Sequence, residues 1–338
     1  MHDIGAAGGL AKGKVSRALW FGSAGQATLR ETELPSPQEG EALVKMLFSG
    51  ISRGTERLVF CGRVPPREFA RMRAPFQEGE FSFPVKYGYC AVGLVEEGPA
   101  EWIGATVFAL HPHQDRFIVP VSALARIPQN IPARRATLAA NMETALNAVW
   151  DSGAGPGDRI AIVGGGVIGM LVAALCARLP GAQVTLADIA PERRPSAGSL
   201  GAGFVDARAS GDAMQDCDIV FHASASAQGL ALALASAGRE ARVVELSWYG
   251  DHDIPVSLGG AFHSRRLHLM ASQVGEIAAS RRPRWSHARR MAKALDLLDD
   301  ARLDALVAGE VAFADAAGRM PELLAPDAPG LFTVLVYP

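Results

Sequence analysis

The chain has 338 residues, 49% of them hydrophobic and 20% charged, with a formal net charge of −2. That length carries two domains with sizeable cores, and the composition is that of a soluble globular protein rather than a disordered one. So small a net charge supplies no footprint for nucleic acid or an anionic membrane surface, and no apolar run reaches the roughly twenty residues of a membrane helix.

Residues 1–16 are rich in Gly and Ala and lack an apolar core segment, so they read as a flexible tail rather than a signal peptide. From Arg17 the pattern is β: Arg17–Phe21, Gln26–Arg30 and Glu41–Phe48 are short strand-like runs broken by Gly22, Gly25 and the Pro35-Ser-Pro37 turn. The loop Gly50-Ile-Ser-Arg-Gly-Thr-Glu56 follows, and then a Pro- and Arg-rich excursion from Cys61 to Phe83 that reads as surface. Tyr87–Glu96, Thr106–Leu110 and Arg116–Pro120 add strands, and together these runs suggest a partly open β-barrel. The pattern changes near Pro132, where Ala136–Val149 is apolar at helical spacing.

The segment Asp158-Arg-Ile-Ala-Ile-Val-Gly-Gly-Gly-Val-Ile-Gly169 reads as strand, tight turn and helix. Gly164 allows the turn, Gly166 lets the backbone approach a pyrophosphate, and Gly169 lets helix and strand pack closely. Val167 and Ile168 open the helix, whose unpaired N–H groups and dipole favour negative charge. A second strand, Gln183–Ala187, ends in Asp188, where an acid is expected on the adenosine ribose hydroxyls. This is a dinucleotide site. Asp188 argues for NAD, while NADP stays possible because Arg193 and Arg194 follow. Arg193 has three open roles: pairing with a 2′-phosphate, stacking on adenine, or facing water at a helix start. Strand runs then alternate with helical stretches (Phe204–Asp206, Asp218–Phe221, Arg242–Leu246, Leu267–Ala271), which implies a doubly wound parallel sheet. Ser224 and Ser247 fall at carboxyl ends of these strands, where a dinucleotide crosses the sheet. Ser286–Leu298 reads as an amphipathic helix, and Leu306–Phe313 and Leu331–Tyr337 as strands that return to the first domain. The domains expected are therefore 17–132 with 282–338, and 133–281. The four cysteines are scattered without paired spacing, which points to a reduced, cytoplasmic setting.

A β-rich first domain, a central segment opening on Pro156-Gly-Asp-Arg159 and its strand, and a C-terminal return resemble the medium-chain dehydrogenase/reductase superfamily. The resemblance runs from about residue 17 to the end and implies a GroES-like domain joined to a Rossmann domain. It also implies an alcohol dehydrogenase-like oxidoreductase acting on a small molecule, and a homodimer. Within it, Gly50–Glu56 matches the loop of the first zinc ligand, Tyr87-Gly-Tyr-Cys90 that of the second, and Ala139-Ala140 that of the third. Ser52, Tyr89 and Ala140 stand at the ligand positions, and none offers a thiolate or imidazole. No catalytic zinc is expected, and no structural zinc, because the cysteine-rich lobe is missing. The Gly50–Glu56 loop, Phe262-His263 and Ser272-Gln-Val-Gly275 are similar to the subgroup containing 2-desacetyl-2-hydroxyethyl bacteriochlorophyllide dehydrogenase.

The resemblance places Thr55 as a hydroxyl relay, Glu56 as an acid behind the missing histidine, and Ser272 in the turn that holds the carboxamide. Glu143 and Thr144 fall near the nicotinamide. Tyr89 could donate to a substrate carbonyl in place of the metal; the other reading is a half-buried strand tyrosine with a satisfied hydroxyl. Glu56 could instead pair with Arg53 or Arg116. His111 and His113 flank a proline and read as solvent-facing loop histidines, with His111 a candidate proton donor. The basic run Arg281–Trp285 reads as a solvated face or a seat for an anionic substrate tail.

Overall fold

The computed structural model describes residues 14–209 and 214–338. Most of the tail expected over 1–16 lies outside the described residues. The first strand starts at Lys14 rather than Arg17, because Ser16 is buried and its hydroxyl bonds Asp115 and the carbonyl of Arg116.

Two sheets build the β-rich part. Lys14–Ser23 lies between Gln26–Leu34 and the short Val85–Lys86, with Glu78–Gly79 at the edge. The larger sheet runs Val307–Ala312, Phe332–Val336, Glu41–Ile51, Ala91–Glu97, Thr106–Ala109 and Leu124–Arg126, and Arg116–Pro120 also pairs with Glu41–Ile51. The two C-terminal strands thus rejoin the first domain: Thr333 stands opposite Ile51 and Val336 opposite Phe48. The 61–83 excursion is not wholly at the surface, since Val64, Gln77 and Phe81 are buried. Phe81 packs with Val85 and Tyr87 in the core of this part.

The six strands between them form one all-parallel sheet: Gly203–Asp206, Gln183–Asp188, Arg159–Val163, Cys217–His222, Ala237–Glu245, His268–Ala271. In chain order this is 3-2-1-4-5-6, the doubly wound arrangement, with its reversal beside Arg159–Val163. Alternation explains the two layers. Ile160 and Ile162 face the cluster holding Met142, Met170 and Leu171, while Ala161 and Val163 face Leu230 and Leu234 of helix Ala227–Ser236. The long helix Ala139–Ser152 begins after a single turn at Ala133–Ala136, so the helical run splits where the chain enters this domain. Helix His287–Asp296 buries Met291 and Leu295, and, unforeseen, Arg290. The architecture is α/β, a GroES-like barrel domain with a Rossmann domain.

Candidate dinucleotide and reaction site

The glycine turn has the geometry its spacing requires. Gly164 has φ of +108°, and a Cβ there would lie 2.6 Å from the Ser224 nitrogen. At Gly169 a Cβ would meet the Gly164 carbonyl oxygen at 1.9 Å, so helix and strand touch through that residue. Gly166 is different. It caps helix Val167–Cys176 with φ of −69°, and nothing lies within 4 Å of where its Cβ would be. Space is therefore open beside Gly166 at the helix start, and that helix N-terminus, led by Val167 and Ile168, fits a pyrophosphate there.

Asp188 is buried at the end of the second strand of this sheet. Its Oδ2 accepts the Gly165 N–H at 2.5 Å and the Arg193 guanidinium at 3.1 Å, and its Oδ1 accepts the Ala190 N–H at 2.8 Å. Of the three roles open to Arg193, the structure displays a fourth: an ion pair that neutralises Asp188. Arg193 also helps to lower the pKa of Arg53, behind burial and Arg57. The segment expected as a loop over 50–56 is instead the end of strand Glu41–Ile51 and, after Ser52, the first turn of helix Arg53–Phe60, and that turn approaches the glycine turn. Arg53 itself donates to the carbonyls of Ala328, Pro329 and Gly330, and Arg116 pairs with Glu96.

Neither arginine pairs with Glu56. That carboxylate is fully buried, accepts the Ser52 N–H at 2.7 Å, and meets His113 Nε2 at 3.0 Å. His113 Nδ1 lies 2.7 Å from the Ser49 hydroxyl, which is 2.8 Å from Tyr337. His113 and His111 are therefore core residues, not solvent-facing ones. The reason is packing: His111 stacks on Phe117 with ring centroids 3.8 Å apart, and the Gly88 backbone leaves just enough space for the His113 ring. Burial, helped by Lys86 and His113, outweighs a hydrogen bond to the Pro112 carbonyl and pushes the His111 pKa down to about 3.

Tyr89 faces the start of helix Arg53–Phe60. Burial raises its phenol pKa well above the ordinary value; Cys90 and Glu56 add to the rise, and hydrogen bonds with Ser52 and Thr55 oppose it. Ser52 also accepts from Asn141 Nδ2 at 3.2 Å, while Cys90 Sγ lies 3.8 Å from Asn141 Oδ1. So Ser52, Thr55 and Tyr89 come together, and the side chain that reaches them from helix Ala139–Ser152 belongs to Asn141, beside the Ala140 expected there. The single-residue offset was the available signal. Among the described residues no three His, Cys, Asp or Glu side chains gather as a metal-holding group.

Glu143 does not stand free in the cleft. Arg290 Nε donates to it at 3.0 Å; burial raises the Glu143 pKa, with Arg290 pulling it back. Arg290 also holds Asn147 and the carbonyls of Val274 and Glu276. Further along the helix, Asp151 Oδ2 accepts from Asn147 at 3.0 Å and from Ser272 at 2.7 Å. Positions 143, 147 and 151, four apart on one helix face, thereby anchor the 272–278 loop. Thr144 is half-buried and bonds the Ala140 carbonyl. Arg281 and Arg289 lie over Trp150 and Trp285, which makes the basic run a cation–aromatic stack. Ser224 and Ser247 belong to a cluster around His222 and Glu245 that sequence reading missed.

The chain matches no protein-family model. Solved structures do resemble it. A protein assigned as a zinc-binding dehydrogenase of Sinorhizobium meliloti, bound to NADP, superposes with a TM-score of 0.76 at 19% identity, over 96% of this chain and 99% of that one. An alcohol dehydrogenase of Escherichia coli CFT073 in complex with NADH gives 0.75 at 16%, over 96% and 100%. The 2R,3R-butanediol dehydrogenase of Bacillus subtilis gives 0.76 at 16%, over 95% and 99%. At such identities the likeness shows the fold, which this chain shares with these dehydrogenases, and leaves the chemistry to the side chains.

Proposed function

We propose that the protein is a zinc-independent, NAD(P)-dependent oxidoreductase of the alcohol dehydrogenase-like kind. The observation that carries this is the open seat at Gly166, formed by Gly164 and Gly169 and read from the side by Asp188. Bound nicotinamide would supply or accept a hydride at its C4, and the partner would be a carbonyl, alcohol or conjugated carbonyl compound. The cofactor-bound dehydrogenases that share the fold support the reading.

The donor chemistry speaks against a catalytic zinc. A phenol whose pKa is driven up stays protonated, serine is a poor ligand at neutral pH, and Asn141 spends its amide N–H on Ser52. Tyr89 instead donates a hydrogen bond to the substrate oxygen, as a fixed dipole where negative charge develops. Its raised pKa makes it a donor rather than a base. Ser52 and Thr55 complete the hydroxyl set through which the proton passes to water in the cleft. Glu56 and His113 hold the start of helix Arg53–Phe60 from behind, and Glu143 with Arg290 holds the 272–278 loop. His111, neutral and stacked, acts in the core. We further propose a cytoplasmic homodimer joined along the edge strand His268–Ala271, where Leu269 is 38% exposed. The likeness to the bacteriochlorophyllide dehydrogenase subgroup makes a large hydrophobic alcohol the first compound to try.

The same side chains at the metal position also suit a dinucleotide-binding protein without turnover. One experiment separates the two: NADH and NADPH with a panel of aldehydes, ketones, quinones and enones, alongside metal analysis. Loss of nicotinamide absorbance without stoichiometric metal, abolished in Tyr89→Phe, supports the oxidoreductase. Tight binding with no acceptor reduced supports the silent protein, and stoichiometric zinc sinks the metal-free mechanism.

A further inference from the structure

A second cluster of titratable and hydroxyl groups lies at the carboxyl ends of strands Cys217–His222 and Ala237–Glu245. His222 is fully buried, with Nδ1 2.7 Å from Glu245 Oε2 and Nε2 2.7 Å from the Ser224 hydroxyl. Ser224 is 2.9 Å from Ser226, whose oxygen accepts the Gly229 N–H and caps helix Ala227–Ser236. Glu245 also accepts the Ser247 N–H at 2.7 Å and the Tyr249 hydroxyl at 2.9 Å, and the Ser247 hydroxyl accepts the Ala225 N–H at 3.0 Å. Every polar group here points at another.

Serine, histidine and carboxylate in a row invite a hydrolytic reading, but the helix above packs against the serine hydroxyl. A Cβ at Gly229 would sit 2.0 Å from the Ser224 oxygen and 2.8 Å from His222 Nε2. The hydroxyl is pressed against that backbone and is hydrogen-bonded to both His222 and Ser226, so it is engaged in holding the turn. What the row does reach is the glycine turn: the Ser224 backbone lies where a side chain on Gly164 would be. The 224–226 turn is one wall of the dinucleotide seat, and the imidazole fixes it from below.

We propose that His222 and Glu245 are positioning residues for the dinucleotide, holding the Ser224–Ser226 turn against the glycine turn. This rests on the dinucleotide reading above. Glu245 orients the imidazole through Nδ1, and the imidazole orients Ser224 through Nε2. A lost neutral hydrogen bond of this kind corresponds to about a tenfold loss of affinity.

The test is NADH and NADPH binding by fluorescence titration, with unfolding midpoints measured beside it. His222→Ala and Ser224→Ala are each expected to weaken binding about tenfold, and the double variant no further. The amide nitrogen of glutamine stands where Nε2 stands, and that of asparagine where Nδ1 stands. His222→Gln, whose amide N–H donates to the Ser224 hydroxyl while that hydroxyl donates to Ser226, should therefore restore affinity, and His222→Asn, which keeps only the Glu245 bond, should not. A purely structural role predicts that affinity follows the unfolding midpoint whichever amide is used, and that result overturns the proposal. So do additive losses in the double variant, or wild-type affinity in Ser224→Ala, which decides the matter even if the His222 variants fail to fold. Wild-type protein that binds neither nucleotide overturns the dinucleotide reading itself, and this proposal with it.

Discussion

Replacing Gly166 and Gly169 by alanine in turn separates the two jobs that glycine does in the turn. At Gly166 the backbone is in a region any residue adopts, and the added methyl would meet nothing within 4 Å. Stability should fall by less than about 1 kcal/mol, the difference between glycine and alanine at a helix N-cap. The methyl would, however, stand where the pyrophosphate approaches. Losing one or two charge-assisted hydrogen bonds, about 1.5–3 kcal/mol each, predicts a loss of NADH affinity of at least tenfold. Gly169→Ala puts the methyl 1.9 Å from the Gly164 carbonyl oxygen, and neither backbone can yield without parting the strand from its helix. A destabilisation of about 1–3 kcal/mol follows, the usual cost of overpacking. Thermal unfolding and NADH fluorescence titration read both quantities on the same samples. If Gly166→Ala binds NADH as tightly as wild type, the turn is not the pyrophosphate seat, and the reasoning fails at its first step.

Arg193→Ala should shift preference toward NADH by about tenfold, because the Asp188 charge would then meet a 2′-phosphate uncompensated; Asp188→Ser should shift it the other way. Titrating both nucleotides into both variants checks this, and an unchanged ratio in each means the pair does not read the ribose. Arg290→Met leaves the Glu143 carboxylate buried without its cation and should cost about 3–5 kcal/mol in denaturant unfolding. Adding Glu143→Gln should recover most of that, and equal stability of single and double variants would refute the pairing. His111, held near 3 against an ordinary 6.5, is neutral in the fold while the unfolded chain takes up a proton. Its stabilisation is complete above about pH 6.5 and declines as pH falls toward the folded value, by up to about 1.4 kcal/mol per pH unit. In unfolding curves at pH 7, 6 and 5, His111→Phe should lose that much slope, and an unaltered slope refutes the assignment.

The Rossmann sheet could be read from sequence because its information is local. A β-branched run, a glycine turn and a helix follow one another between Arg159 and Cys176, and the repeat of strand and helix implies the parallel sheet. The returning strands could be read because an already complete sheet left them the first domain as partner. The family resemblance also singled out Ser52 and Tyr89, which the structure brings together with Thr55 at the start of helix Arg53–Phe60. Local pattern went wrong on charged and imidazole side chains. His111 and His113, in a His-Pro-His turn, look solvated until the Phe117 ring and the Glu56 carboxylate close over them.

Tertiary structure alone decided who partners whom. Glu56 meets His113 across 57 positions of chain, Glu143 meets Arg290 across 147, and His222 meets Glu245 across 23. Strand and helix periodicity orient a side chain toward a face; they do not say which distant group arrives there. A buried charge must find such a partner or lose its charge, so the pairing is strict once folded and invisible before. The sequence by itself determined the fold and the glycine turn between the first strand and helix of its Rossmann domain. Which side chains neutralise, orient and surround that turn was decided only when distant segments of the chain packed together.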